Sequence, residues 1–171
     1  MKSAWSYVTQ DVAANRGYPK SQLVVVAFRI SAYSKIKCTG PPAKLLRVFI
    51  AACYKLATEW VLGVELPATT PIGPGLRLRH GVGLVVNPYS QIGSNVLVRQ
   101  GVTIGNKRES DDCPVIADDV EIGAGAVVVG PITIGKGAKI GPLAYVDFDV
   151  REGSIVVSQR SAAIRSGNAG A

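Results

Sequence analysis

Between Ile116 and Val150 the sequence repeats every six residues. Ile116, Ile122, Val128, Ile134, Ile140 and Val146 hold one phase, and Val120, Ala126, Ile132, Ala138, Ala144 and Val150 stand four residues after each of them. Gly123, Gly135 and Gly141 directly follow three of the aliphatic anchors. Neither the period of an α-helix nor the alternation of a half-buried strand generates this spacing. A six-residue repeat belongs to a coil of short strands, each burying one aliphatic anchor and one small residue, with Gly or Asn tolerating the bend between strands. The expected fold is mainly β, a left-handed parallel β-helix.

The phase runs backwards through Ile92, Val98 and Ile104, and before them through Ile72, Leu78 and Leu84. The step from Leu84 to Ile92 is eight residues, which predicts a bulge or small loop near Asn87-Pro88. Between Ile104 and Ile116 the pattern gives way to Asn106-Lys107-Arg108-Glu109-Ser110-Asp111-Asp112-Cys113-Pro114. A charged stretch with its own proline reads as a loop, 106–114, pushed out of the coil, and rigid scaffolds commonly carry function on such loops. The alternative is a solvated loop with no task.

Charge and aromatic content divide the chain. Residues 1–64 hold nine Lys/Arg against two Asp/Glu and eight of the eleven aromatic residues, while residues 65–171 hold ten charges of each sign. Three regions follow: a basic N-terminal helical lobe (1–64), the β-helix (65–158) and a small, polar C-terminal tail (159–171). In the lobe, Ser21 to Lys37 reads as a first helix, although Val24-Val25-Val26 also suits a strand. Pro41-Pro42 open a second helix and Gly63 closes it. Leu45, Phe49, Cys53, Leu56 and Trp60 form an apolar stripe on this helix, with Lys44, Arg47, Lys55 and Thr58 opposite. Such a basic, aromatic-rich lobe suits an anionic membrane surface; the other reading is a solvated basic face on a packing helix. Nothing resembles a base-reading module, so nucleic acid is not an expected partner.

Three widely spaced cysteines, Cys38, Cys53 and Cys113, argue against a disulfide framework and for a reducing compartment. Met1 to Lys20 lacks the apolar core of a signal peptide, and no stretch reaches transmembrane length. The expected location is cytoplasmic, with contact at the inner face of the membrane. The single histidine, His80, excludes a multi-histidine zinc site, and no metal is expected. There is neither a GxxxxGK[ST] loop nor a GxGxxG turn after a strand, so nucleotide hydrolysis and hydride transfer lack a foundation. His80 stands two residues after Leu78, where side chains turn out of a β-helix, with Gly81 and Gly83 leaving room beside it. A histidine there suits proton removal from a hydroxyl near neutral pH.

Leu78-Arg79-His80-Gly81-Val82-Gly83-Leu84-Val85-Val86, Gly101-Val102-Thr103-Ile104-Gly105-Asn106, Cys113-Pro114 and Ile122-Gly123-Ala124-Gly125-Ala126 resemble the hexapeptide-repeat O-acetyltransferases of the serine acetyltransferase type. The likeness is greatest to acetyltransferases assigned to colanic acid and other exopolysaccharide clusters, and it covers roughly residues 21–158. The resemblance implies acetyl transfer from acetyl-CoA to a hydroxyl, with His80 as general base and Glu65 as the acid supporting it. It implies an acetyl-CoA channel along Gly105, Asn106, Gly123, Ala124 and Pro142, with Lys139 and Arg160 as candidate phosphate partners. It also implies a homotrimer whose active sites lie between neighbouring coils, so that one chain holds an incomplete site.

The departures from the serine enzymes bear on the acceptor. Their loop carries an Arg-His pair before the proline, where this chain has Asp112-Cys113, and an acidic residue repels a carboxylate. Arg79 replaces an acidic residue beside the histidine, and the N-terminal helical region is shorter. With Asn87 at the predicted bulge, Arg79, Asp112 and Cys113 are the candidate acceptor-binding residues. The expectation is acetylation of a sugar hydroxyl in exopolysaccharide or capsule synthesis. Serine O-acetylation is the first alternative, and a non-catalytic trimeric scaffold the second.

Overall fold

The computed structural model describes residues 3–37 and 40–158. Three helices, α1 (Ala4–Thr9), α2 (Pro19–Lys37) and α3 (Pro41–Lys55), precede the coil. A 3-10 turn (Ala13–Asn15) links α1 to α2, and α3 runs on into a π-helical turn (Leu56–Val61). Thirteen short strands then form three parallel sheets, one per face of a triangular coil. The first face stacks β2 (Arg77–Arg79), β5 (Leu97–Arg99), β8 (Glu121–Ile122), β11 (Lys139–Ile140) and β13 (Ile155–Val156). The second stacks β1 (Val64–Glu65), β3 (Leu84–Val86), β6 (Thr103–Gly105), β9 (Val127–Val129) and β12 (Tyr145–Val146). The third stacks β4 (Gln91–Ile92), β7 (Val115–Ile116) and β10 (Thr133–Ile134). This is the parallel β-helix with a small N-terminal helical region that the six-residue period predicts.

Both inward phases are buried from Ile116 to Val150, with no anchor or small partner more than 6% exposed. Parallel register stacks Ile92 on Ile116, Val98 on Ile122 and Ile104 on Val128, so like packs on like along the axis. The glycines after the anchors have a different reason from the expected one. A Cβ on Gly123 would lie 2.5 Å from the Pro142 amide nitrogen, so the next turn's backbone leaves no space for a side chain there. The left-handed corner residues stand elsewhere, at positions such as Asn95 and Asp119, with φ of 58° and 60°.

The register also moves the first irregularity. Arg79 pairs with Arg99 and Val85 with Thr103, so the step from strand to strand is six residues in the first turn and four in the second. The anchor equivalent to Ile104 is Val86, not Leu84, and the two extra residues lie in the corner His80-Gly81-Val82-Gly83. No bulge interrupts the step from Val86 to Ile92. The second irregularity falls where the sequence predicts it, with Asn106–Pro114 leaving the coil between β6 and β7.

The lobe covers the exposed edge strand of the first face. Asp11 is fully buried and pairs with the nearly buried Arg29, Oδ2 to Nε at 2.7 Å. Asp11 Oδ1 accepts from the amides of Gly75 (2.7 Å) and Leu76 (3.1 Å). Arg29 donates to the carbonyls of Ile72 (2.8 Å) and Gly73 (2.6 Å). Asn15, also fully buried, donates to the Leu76 carbonyl at 2.7 Å and accepts from the Leu78 amide at 2.8 Å. These side chains take the place of a preceding strand along β2, satisfying backbone groups that burial would otherwise leave unpaired.

The apolar stripe of α3 faces the other way. Tyr54 and Thr58 are buried, and the Tyr54 hydroxyl donates to the Leu66 carbonyl. Leu45, Phe49, Leu56 and Trp60 are 75%, 65%, 61% and 80% exposed, and Cys53 is exposed beside them. The predicted stripe exists, but it faces away from the protein; of the residues predicted opposite it, Thr58 is buried and Arg47 half-buried, while Lys44 and Lys55 stay exposed.

Candidate active site

His80 opens the lengthened first corner. Its backbone is left-handed, with φ of 61°, a conformation that costs a residue with a Cβ roughly 1–2 kcal/mol. The histidine side chain is exposed, as predicted, and lines a cavity of about 640 Å³ at the seam between lobe and coil. Tyr18, Lys20, Trp60, Val61 and Val64 share that lining. The Tyr18 ring meets the imidazole edge-on, with centroids 5.8 Å apart. The Arg79 guanidinium stacks on the other ring partner, 4.2 Å from the Tyr18 centroid, and donates to the Ala14 carbonyl at 3.2 Å and to Asn15 Oδ1 at 3.3 Å. Arg79 therefore ties the lobe to the corner that carries the histidine, instead of standing free as an acceptor ligand. A larger cavity, about 720 Å³ between α2 and the third face, contains none of the predicted catalytic or acceptor residues.

Glu65 lies on β1, stacked beside Val85 of β3, with its side chain exposed on the outside of the second face. Among the described residues no hydrogen bond joins it to His80. The expected carboxylate–imidazole contact is absent from the single chain.

The remaining predicted residues divide between two corners. Ala124 and Pro142 follow β8 and β11 on the same corner as His80, and Gly123 precedes them under the backbone of the next turn. Lys139 projects from the outside of β11, exposed, between Glu121 and Ile155 of the adjoining strands. Gly105, Asn106, Asn87, Asp112 and Cys113 occupy the next corner, between the second and third faces. There Asn87 Nδ2 donates to Asn106 Oδ1 at 3.1 Å, and Gly105 lies against the Asn87 side chain. The width of one face separates the two groups, so one chain does not bring them together. Arg160 lies outside the described residues.

The loop folds back along its corner. Lys107 Nζ meets Asp147 Oδ2 at 2.7 Å, reaching past the β9 turn, and Asp112 Oδ2 accepts from the Arg108 amide at 3.2 Å. The other oxygen, Asp112 Oδ1, is buried without a hydrogen-bond partner among the described residues. Burial pushes the Cys113 thiol up from its usual pKa; the Ser90 hydroxyl opposes this, and Asp112 and Asp111 reinforce it. Cys113 is thus a neutral thiol at neutral pH, a packing group more than a nucleophile.

The sequence missed Tyr18 and Trp60 as cavity residues. A signal was present, since both are large aromatics beside glycines, at Gly17-Tyr18-Pro19 and shortly before Gly63.

Comparison with known proteins places this geometry. Residues 113–147 match the bacterial transferase hexapeptide (six repeats) family. A serine acetyltransferase of Helicobacter pylori is 35% identical over 118 residues, 68% of this chain and 69% of its own length. One from Bacillus licheniformis is 41% identical over 116 residues, and the chain spans about half the length (54%) of that relative. An Escherichia coli protein assigned to colanic acid biosynthesis as an acetyltransferase, WcaB, is 28% identical over 154 residues, 89% of this chain and 95% of its own. Among solved structures, Neisseria gonorrhoeae serine acetyltransferase in complex with serine superposes with a TM-score of 0.74 at 28% identity, covering 94% of this chain and 68% of that one. The chain belongs to the hexapeptide-repeat acetyltransferases of the serine acetyltransferase type.

Proposed function

We propose that the protein transfers an acetyl group from acetyl-CoA to a sugar hydroxyl of an exopolysaccharide or capsule precursor, with His80 as general base. The observation that carries this reading is the position of His80: the only histidine, exposed in a cavity, on a strained corner that the coil lengthens by two residues. The same left-handed φ recurs at Asn95, Asp119 and Leu143, so the weight rests on the lengthened corner and its cavity. An imidazole nitrogen takes the proton from the acceptor hydroxyl as its oxygen attacks the thioester carbonyl. Collapse of the tetrahedral adduct expels the CoA thiolate, which recovers the proton from the imidazolium. Tyr18 restricts the ring's orientation from within the lobe.

The separation of His80 from the Asn87–Asn106 corner supports a homotrimer, in which one chain's first corner faces the neighbour's second. Acetyl-CoA would lie in that groove, against Ala124 and Pro142 of one chain and Gly105 and Asn106 of the next. Glu65 would need the bound acceptor or that neighbour to bring it to the imidazole. Asp112, fixed on the loop, favours a neutral polyol over an amino-acid carboxylate. WcaB matches nearly end to end, whereas the longer Bacillus serine enzymes match over half their length. Arg79, engaged with the lobe, no longer contributes to this choice. Serine remains the second reading because the printed names of several relatives specify it.

Thiol release from acetyl-CoA, followed with serine and with a panel of nucleotide sugars and oligosaccharides, tests the assignment. A sugar acceptor should be preferred, and His80→Ala should lower kcat about 10²–10⁴-fold with KM for acetyl-CoA little changed. Turnover of serine above every glycan acceptor would overturn the sugar assignment. An unchanged kcat in His80→Ala would remove the base.

A further inference from the structure

We propose that the outward face of α3 docks the protein on an anionic membrane surface, with the His80 cavity opening beside the bilayer. The helix turns Tyr54 and Thr58 to the protein and exposes Leu45, Leu46, Val48, Phe49, Leu56, Trp60 and Val61, all more than half exposed. Helical spacing places Lys44 and Lys55 along one border of this stripe, where Lys55 Nζ also lies 3.5 Å from Glu59 Oε2. Apart from the buried Asp11–Arg29 pair, the basic residues of the described lobe are Arg16, Lys20, Lys35, Lys37, Lys44, Arg47 and Lys55, against the single acid Glu59. Burial and the neighbouring Arg47 both push Lys35 below the usual lysine range.

An apolar strip bordered by cations fits an interface that is oily beneath and negative at its surface. A second copy of the same face fits poorly in an antiparallel two-fold contact, which would set Lys44 against the copy's Lys55. No helix among the described residues is long and apolar enough to cross a membrane, so the contact lies in the plane of the interface. The stripe ends at Trp60 and Val61, which also line the His80 cavity. If His80 acts as proposed above, its acceptor is a lipid-linked glycan reached at the membrane surface. That consequence rests on the acyl-transfer reading; the docking does not.

Sedimentation of the full chain with vesicles of phosphatidylcholine, alone or mixed with phosphatidylglycerol, tests the docking without acetyl-CoA. Binding should require phosphatidylglycerol and weaken with salt. In a Trp5→Phe background, Trp60 fluorescence should shift to the blue on binding. Leu45→Ser/Phe49→Ser/Leu56→Ser should weaken binding about 100-fold, and Lys44→Glu/Lys55→Glu about 10-fold or more, with unfolding unchanged because every altered side chain is exposed. Equal sedimentation with both vesicle types overturns the proposal. So does a change of oligomeric mass in the stripe variant, which would identify the face as a protein interface.

Discussion

The coil and the lobe are held together by different physics. The coil repeats one apolar contact turn after turn, so no single anchor is decisive and each turn leans on its neighbours. The lobe buries Val24, Val25, Phe28 and Tyr54 against the first turns of the coil and is keyed in place by a few polar side chains, each used once: Asp11, Asn15, Arg29 and Arg79. Distributed burial tolerates small losses. A concentrated polar network does not, because removing one member leaves buried partners unsatisfied.

This difference can be measured with the protein's own fluorescence, since both tryptophans, Trp5 and Trp60, lie in the lobe. Asp11→Ala leaves Arg29 buried and uncompensated and should destabilise the lobe by about 3–5 kcal/mol. In urea its tryptophan transition should fall well below the transition followed by far-UV circular dichroism; coincident transitions would break the distinction between the regions. Asn15→Ala strands the Leu76 carbonyl and the Leu78 amide, and should cost about 1–3 kcal/mol by the same two-probe measurement. Ile122→Val, deep in the coil, should cost only about 0.5–1.5 kcal/mol and move both transitions together. Lys107→Ala removes an exposed ion pair on the loop and should leave both midpoints where they are.

The same contrast explains what the sequence revealed. A period advertises itself, and Ile116 to Val146 displayed the coil without further help. The lengthened corner was harder to place because Leu84, six residues after Leu78, imitates an anchor while filling the second inward position. The true anchor, Val86, emerges only from its pairing beside Ile104. Asp11 and Asn15 carry no period at all. Their one trace was Arg29, a lone charge inside the apolar run of α2, which demanded a buried partner. The direction of the α3 stripe was not legible, because spacing reports that a helix has two sides and not which of them meets the protein. His80 stood out by its singularity, whereas Glu65, singled out by resemblance alone, makes no hydrogen bond to it among the described residues.

A parallel coil whose terminal strand is bare offers a template on which further strands, its own or another molecule's, can grow. Asp11, Asn15 and Arg29 occupy the backbone groups of the first turn that such growth would use. The fastening of the lobe is therefore also a stopper against polymerisation. Molecules that lose it are expected to form fibres from that end before they lose the coil itself.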